Sequence, residues 1–174
     1  MHRDIDWVWY DYSCMPQRAK DGTDERTVEE MTEFSLMLSA IADLYMTSLV
    51  LILLDKSYDS RFWPLTESWC AMQQVTLEGQ ERYTIKCIHD ANEKNKSFLI
   101  DYVSKKTERE MRQKLAMADV NVTNMKDKET MLPIIQEMDK HVISIMRELG
   151  DESAPSLSSV PPFTTYVQPF AKPR

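Results

Sequence analysis

The sequence predicts an α/β domain, a small parallel sheet of about four strands flanked by helices. Three observations predict it. Leu49-Val50-Leu51-Ile52-Leu53-Leu54 is an unbroken apolar run, far too short to span a bilayer, and it reads as a strand buried on both faces, the condition of a strand inside a parallel sheet. Stretches of helical period stand on both sides of it, Val28 to Met46 before and Trp63 to Met72 after. The run stops at Asp55, and the polar turn from Lys56 to Ser60 falls where the strand's carboxyl end emerges, the edge at which open α/β sheets bind ligands.

Composition sets the bounds. A chain of 174 residues supports one domain with a substantial core, and 43% hydrophobic content with a mean hydropathy of -0.45 fits a soluble protein. Early charges at His2, Arg3, Asp4 and Asp6 break any leader-like run, and no later run reaches membrane length. The expected address is therefore cytoplasmic, with no membrane partner. A net charge of -7 and a pI near 5.0 argue against nucleic acid as a partner. Cys14, Cys70 and Cys87 are an odd number at irregular spacing, which suits reduced thiols better than a disulfide framework. Cys87 and His89 share a strand face, but no further ligands lie nearby, so no metal site is expected.

In chain order, Asp6 to Ser13 is rich in aromatic and β-favouring residues and reads as a first strand. A strand so near the first residue implies that an upstream strand and helix are missing. Pro16 to Thr27, with Gly22, is a loop. From Val28 to Met46 the apolar positions Val28, Met31, Phe34, Leu38, Ile41 and Tyr45 recur every three or four residues, which predicts an amphipathic helix opened by a Thr27/Glu30 capping box. After the central strand, Pro64 suits the first turn of a helix in which Trp63, Glu67 and Ala71 share a face. Val75 to Gln80, with Gly79, turns the chain, and Tyr83 to Ile88 reads as the next strand.

Asp90 and Glu93 form a further capping box, opening a helix with the stripe Phe98, Leu99, Tyr102 and Val103. Thr107 with Glu110 is another, so a break is expected near Lys105. Val120 to Thr123 reads as a short last strand, and Asp127 to Leu149 as one helix with a Met-rich core stripe. From Asp151 the chain turns Pro- and Ser-rich. The expected organisation is thus a domain over 1–150 and an extended or disordered tail over 151–174.

The central stretch resembles a known segment. An apolar strand, then Asp55-Lys56-Ser57-Tyr58, Ser60 and Trp63-Pro64-Leu65-Thr66-Glu67, is similar to the part of Toll/interleukin-receptor (TIR) domains where a strand runs into S-x-x-Y, a Ser, and W-C-L-x-E; Pro64 stands in place of the family's Cys. Upstream, WYDYSCMPQ resembles the heterokaryon-incompatibility (HET) signature W-x-D-x-x-C-I-x-Q, matched by Trp9, Asp11, Cys14, Met15 and Gln17. The resemblances together cover about Trp7 to Met72. They imply a flavodoxin-like sheet order, a catalytic Glu67, NAD as substrate rather than bound cofactor, a role in cell-death or immune signalling, and association of the domain with copies of itself.

Cleavage of the nicotinamide-ribose bond passes through an oxocarbenium-like state, which calls for a carboxylate near the ribose and aromatic walls that exclude water. Glu67 is the candidate carboxylate, Tyr58 and Trp63 the candidate walls, and Asp11 and Arg61 the candidate ligands for ribose or phosphate oxygens. Read as residues alone, the same positions have plainer uses: Glu67 a solvated helix charge, Trp63 and Trp69 core anchors, Asp11 a turn cap, Cys14 a small buried hydrophobe. The alternative function is a non-catalytic self-associating interaction domain of the same fold.

Overall fold

The computed structural model describes residues 5, 7–73, 81–148 and 150. The chain divides into two compact units, Met1–Ile41 and Ala42–Arg174. The turn expected over Val75 to Gln80 and the tail over 151–174 lie outside the described residues.

In the first unit, the strand expected over Asp6 to Ser13 does not form among the described residues. Residues 7–10 carry no strand pairing, and Asp11–Cys14 is a single helical turn, α1. β-propensity gives way to local hydrogen bonding there: the amides of Ser13 and Cys14 both donate to the Tyr10 carbonyl, at 3.0 and 2.9 Å, and the Gln17 amide closes the turn from outside by donating to the carbonyls of Asp11 and Met15. The signature residues are therefore a self-bonded turn. The loop that follows is held by Asp24, which accepts from Arg26 at 2.7 Å and pairs with Arg18 at 3.2 Å, while Arg26 lies 4.6 Å from the Phe34 ring centroid. The guanidinium bonds from Arg26 hold the Asp24 carboxyl well below the usual range.

Helix α2, Val28–Thr47, crosses the division. Its Thr27/Glu30 capping box forms as expected, the Thr27 amide donating to Glu30 at 2.8 Å and the Glu30 amide to the Thr27 hydroxyl at 3.2 Å. Its apolar stripe is buried only in part: Val28 and Met31 are exposed, Phe34, Leu38 and Tyr45 half-buried, and Ile41 buried.

The second unit holds strand β1, Val50–Leu54, and strand β2, Tyr83–Cys87, paired parallel with Val50 opposite Tyr83 and Leu54 opposite Cys87. Among the described residues the sheet has these two strands, not about four. The segment expected as a last strand contributes one isolated parallel bridge, Asn121 to Arg61, in which the Asn121 amide donates to the Ser60 carbonyl at 2.7 Å and the Phe62 amide to the Asn121 carbonyl at 2.9 Å. The expectation that both faces of the apolar run are buried also fails. Period-two alternation sends Ile52 and Leu54 to a buried face beside Ile85, while Leu51 and Leu53 stay 61% and 50% exposed, beside Thr84 and Lys86 in register. An apolar run records only that each face is apolar, not that each is covered.

Helix α3, Phe62–Met72, follows β1 after a turn of 3-10 helix at Tyr58–Ser60. Helix α4 is Glu93–Val103, capped by Asn92 and Asn95 instead of the expected Asp90 and Glu93: the Asn92 side chain reaches the amides of Lys94 and Asn95, at 3.0 and 3.4 Å, and Asn95 returns the bond to the Asn92 amide. The break near Lys105 is present, and helix α5, Glu108–Ala116, opens on the expected Thr107/Glu110 box. The single last helix is instead two, α6 over Met125–Gln136 and α7 over Met138–Glu148. Because Asn124 caps α6, Pro133 lies in the helix interior, where it lacks a donor and crowds the preceding turn.

The core of this unit is Phe62, Leu65 and Trp69 from α3, Leu99 and Val103 from α4, Met111 and Leu115 from α5, and the Met-rich stripe Met131, Ile135, Met138, Val142 and Met146. Arg82 is buried where α2, α3 and the sheet meet. Its guanidinium donates to the carbonyls of Tyr45 and Ser48 at 3.1 Å and to those of Ala71 and Gln73 at 3.3 and 2.8 Å. These are carbonyls at and just past the ends of two helices, where the macrodipole is negative. Burial pulls Arg82 down to about 10, which leaves it a cation at neutral pH. No helix among the described residues is long and apolar enough to cross a membrane.

Candidate functional site

The carboxyl end of β1 gathers a compact polar cluster. Asp55 folds into an Asx turn, accepting from the Ser57 amide and hydroxyl, both at 2.9 Å. The same carboxylate takes the Arg61 guanidinium, one nitrogen lying 3.1 Å from each oxygen. Burial pushes the Asp55 carboxyl up, but the Ser57 bonds, with Arg61 and His89 nearby, more than offset this and hold it below its usual value. Arg61 also lies 5.7 Å from the Tyr58 ring centroid, and its Nε is buried without a hydrogen-bond partner.

Tyr58 is buried, and burial followed by the charge of Glu67 pushes its phenol above the usual value. The same two causes, burial first, raise the Cys70 thiol. A thiol held protonated is no nucleophile. Glu67 itself is half-buried on α3, within electrostatic reach of Tyr58 and Cys70. Tyr58, Arg61 and Glu67 are thereby brought into one neighbourhood.

Trp63 is directed elsewhere. Its indole N–H donates to Asp127 of α6 at 3.0 Å, and its ring meets Phe62 edge to face at 5.5 Å. Pinned at both points, Trp63 serves as a packing residue between α3 and α6. Asp11 belongs to the first unit, where it is exposed in α1 and its carboxylate accepts from the Tyr12 amide at 2.7 Å.

A shallow, solvent-open cleft lies between the β1–α3 connection and α4. Leu54 and Leu99 are its floor, Asp55, Lys56 and Asp59 one side, Asn95 and Phe98 the other. It lies at the sheet edge expected to hold a ligand, but Glu67, Tyr58, Arg61 and Trp63 do not line it. It is also far smaller than the roughly 300–1,000 Å³ usual for a metabolite pocket. Phe98 was expected in the buried stripe of α4; Leu99 and Val103 are buried there, whereas Phe98 is 53% exposed. The i, i+4 spacing of Phe98 and Tyr102 was the available signal for a ring column on the helix surface. No group of three or more His, Cys, Asp or Glu side chains among the described residues has the geometry to hold a metal ion. Comparison with protein-family models, curated proteins and solved structures finds no match for this chain.

Proposed function

We propose that this chain is a protein-interaction module that associates with copies of itself through the uncovered face of its parallel sheet. The observation that carries this reading is the exposure of alternate leucines: Leu49, Leu51 and Leu53 are 63%, 61% and 50% exposed. All-parallel sheets in folded proteins keep both faces covered. A contiguous apolar patch on such a sheet marks a surface that meets another protein. A second copy presents the same three leucines, so a twofold contact is self-complementary. Three leucines are fewer than a stable interface of about 800 Å² per partner requires, so the association is weak and concentration-dependent. The test is sedimentation across a concentration series, beside Leu51→Lys combined with Leu53→Lys. Wild type is expected to move from monomer to dimer and the double variant to stay monomeric with an unchanged helical spectrum; a wild type that stays monomeric at the highest concentration reached sinks the reading.

A TIR/HET-like, flavodoxin-like fold is part of the same proposal; what supports it is the order β1, polar turn, α3 and the parallel pairing of β1 with β2. The unpaired Cys14, Cys70 and Cys87 support a reducing, cytoplasmic address.

A second reading, cleavage of NAD at the nicotinamide-ribose bond with Glu67 as the catalytic carboxylate, draws on one observation. Glu67 is half-buried beside the buried Tyr58 and Cys70, a setting in which a carboxylate is felt strongly by its surroundings. Nicotinamide release from NAD by the concentrated chain, lost in Glu67→Ala, supports it. No release at concentrations where the chain has associated removes it.

A further inference from the structure

Phe98 opens into the cleft at the end of β1 as the last ring of an ordered column. It stacks on Tyr102 with centroids 5.3 Å apart and planes 10° from parallel, and the Lys106 ammonium lies 4.4 Å from the Tyr102 centroid. Phe98 and Tyr102, four residues apart, lie on one side of α4, and Lys106 reaches the second ring from the loop beyond the helix end. Aromatic faces attract cations, and this column already holds one at its Tyr102 end. Its other end is the exposed Phe98 ring.

Across the cleft stand three charges with different states. Asp55 is committed to Arg61 at 3.1 Å. Asp59 and Lys56 are exposed and have no ion pair or hydrogen bond among the described residues. Below them Leu54 and Leu99 form an apolar floor. The cleft is shallow and open to solvent, so it takes the end of one side chain rather than a whole metabolite. The chain's net charge of -7 favours the approach of a cationic partner.

We propose that this cleft is a docking site for a single arginine side chain of a partner protein, its guanidinium lying on the open face of Phe98 and bonded to the Asp59 carboxylate. The flat guanidinium matches both surfaces at once, the ring through its plane and the carboxylate through its edge. Lys56 on the same rim sets the specificity: it repels a run of cations and accepts an acidic residue beside the arginine, so an isolated arginine with an acidic neighbour fits better than a polybasic tract.

The test titrates the isotope-labelled full chain with a short peptide carrying one arginine beside one glutamate, and with the same peptide in which citrulline, neutral and of equal shape, replaces the arginine. The expected result is saturable shifts at the amides of Asp59, Asn95 and Phe98, weakened by salt, with the citrulline peptide about tenfold weaker for loss of the charge-assisted pair. Phe98→Leu, which keeps an apolar wall without a ring, is expected to weaken the arginine peptide about threefold, and Asp59→Asn by at least as much. Equal binding of the citrulline peptide, tighter binding of an oligo-lysine peptide, shifts that avoid the cleft, or no saturable binding at low salt would each overturn the proposal.

Discussion

The two faces of β1 are made of the same residue types and meet opposite fates. Ile52 and Leu54 are buried, Leu51 and Leu53 exposed, and all four lie within one apolar run. On this strand hydrophobicity fixes the backbone state but not the partner. What covers a face is decided by elements distant in sequence. A chain that leaves three leucines in water pays for it unless another surface completes the sheet.

The largest effect is expected where the buried side is tied to its helices. Arg82→Met removes the cation that serves four carbonyls while keeping apolar bulk, and is expected to cost about 4 kcal/mol in denaturant unfolding; a loss under about 1 kcal/mol would mean that water serves those carbonyls equally well. Next, Ile52→Ala on the buried face is expected to lose about 3 kcal/mol through lost burial and the cavity left behind.

A smaller effect is expected at the strand's carboxyl end. Folding lowers the affinity of the Asp55 carboxyl for a proton, so its contribution to stability is fully present above the ordinary carboxylate pKa and disappears as pH falls toward the lowered folded value. Wild type should therefore lose stability between about pH 5 and pH 3 more steeply than Asp55→Asn; parallel curves in urea unfolding would remove the Asp55–Arg61 pair from the account. The smallest is Leu51→Ala on the open face, expected within about 0.5 kcal/mol of wild type in the dilute monomer. A loss near that of Ile52→Ala would show that Leu51 is covered in the monomer and would end the interaction reading.

The sequence carried the local rules and missed the long-range ones. The Thr27 and Thr107 capping boxes, the break near Lys105 and the burial of the Met131 to Met146 stripe were legible because each depends on residues within a turn or two of one another. The Asn92 cap was missed because Asp90 and Glu93 offered the same spacing two residues earlier. Trp7 to Ser13 misled because aromatic and β-branched content promises a strand only if a sheet edge is there to receive it, whereas the Tyr10 carbonyl was already served by Ser13 and Cys14. At the candidate site, the neighbourhood of Tyr58, Arg61 and Glu67 was readable from a strand-turn-helix pattern. The diversion of Trp63 to Asp127 was not, since it spans 64 residues. Nor was the open Phe98 ring, because an apolar residue one step from the buried Leu99 reads as core.

Strand β1 finds its partner 33 positions further on, Val50 against Tyr83, with all of α3 closing in between. Until that loop shuts, an emerging chain displays six consecutive apolar residues, uncharged and rich in leucine, to every neighbour on the ribosome or in a concentrated solution. The hazardous interval for this protein is thus kinetic: its tendency to clump should follow how slowly the parallel pair assembles after synthesis or dilution from denaturant, and chaperones that hold short apolar segments should raise its yield more than any change of final stability.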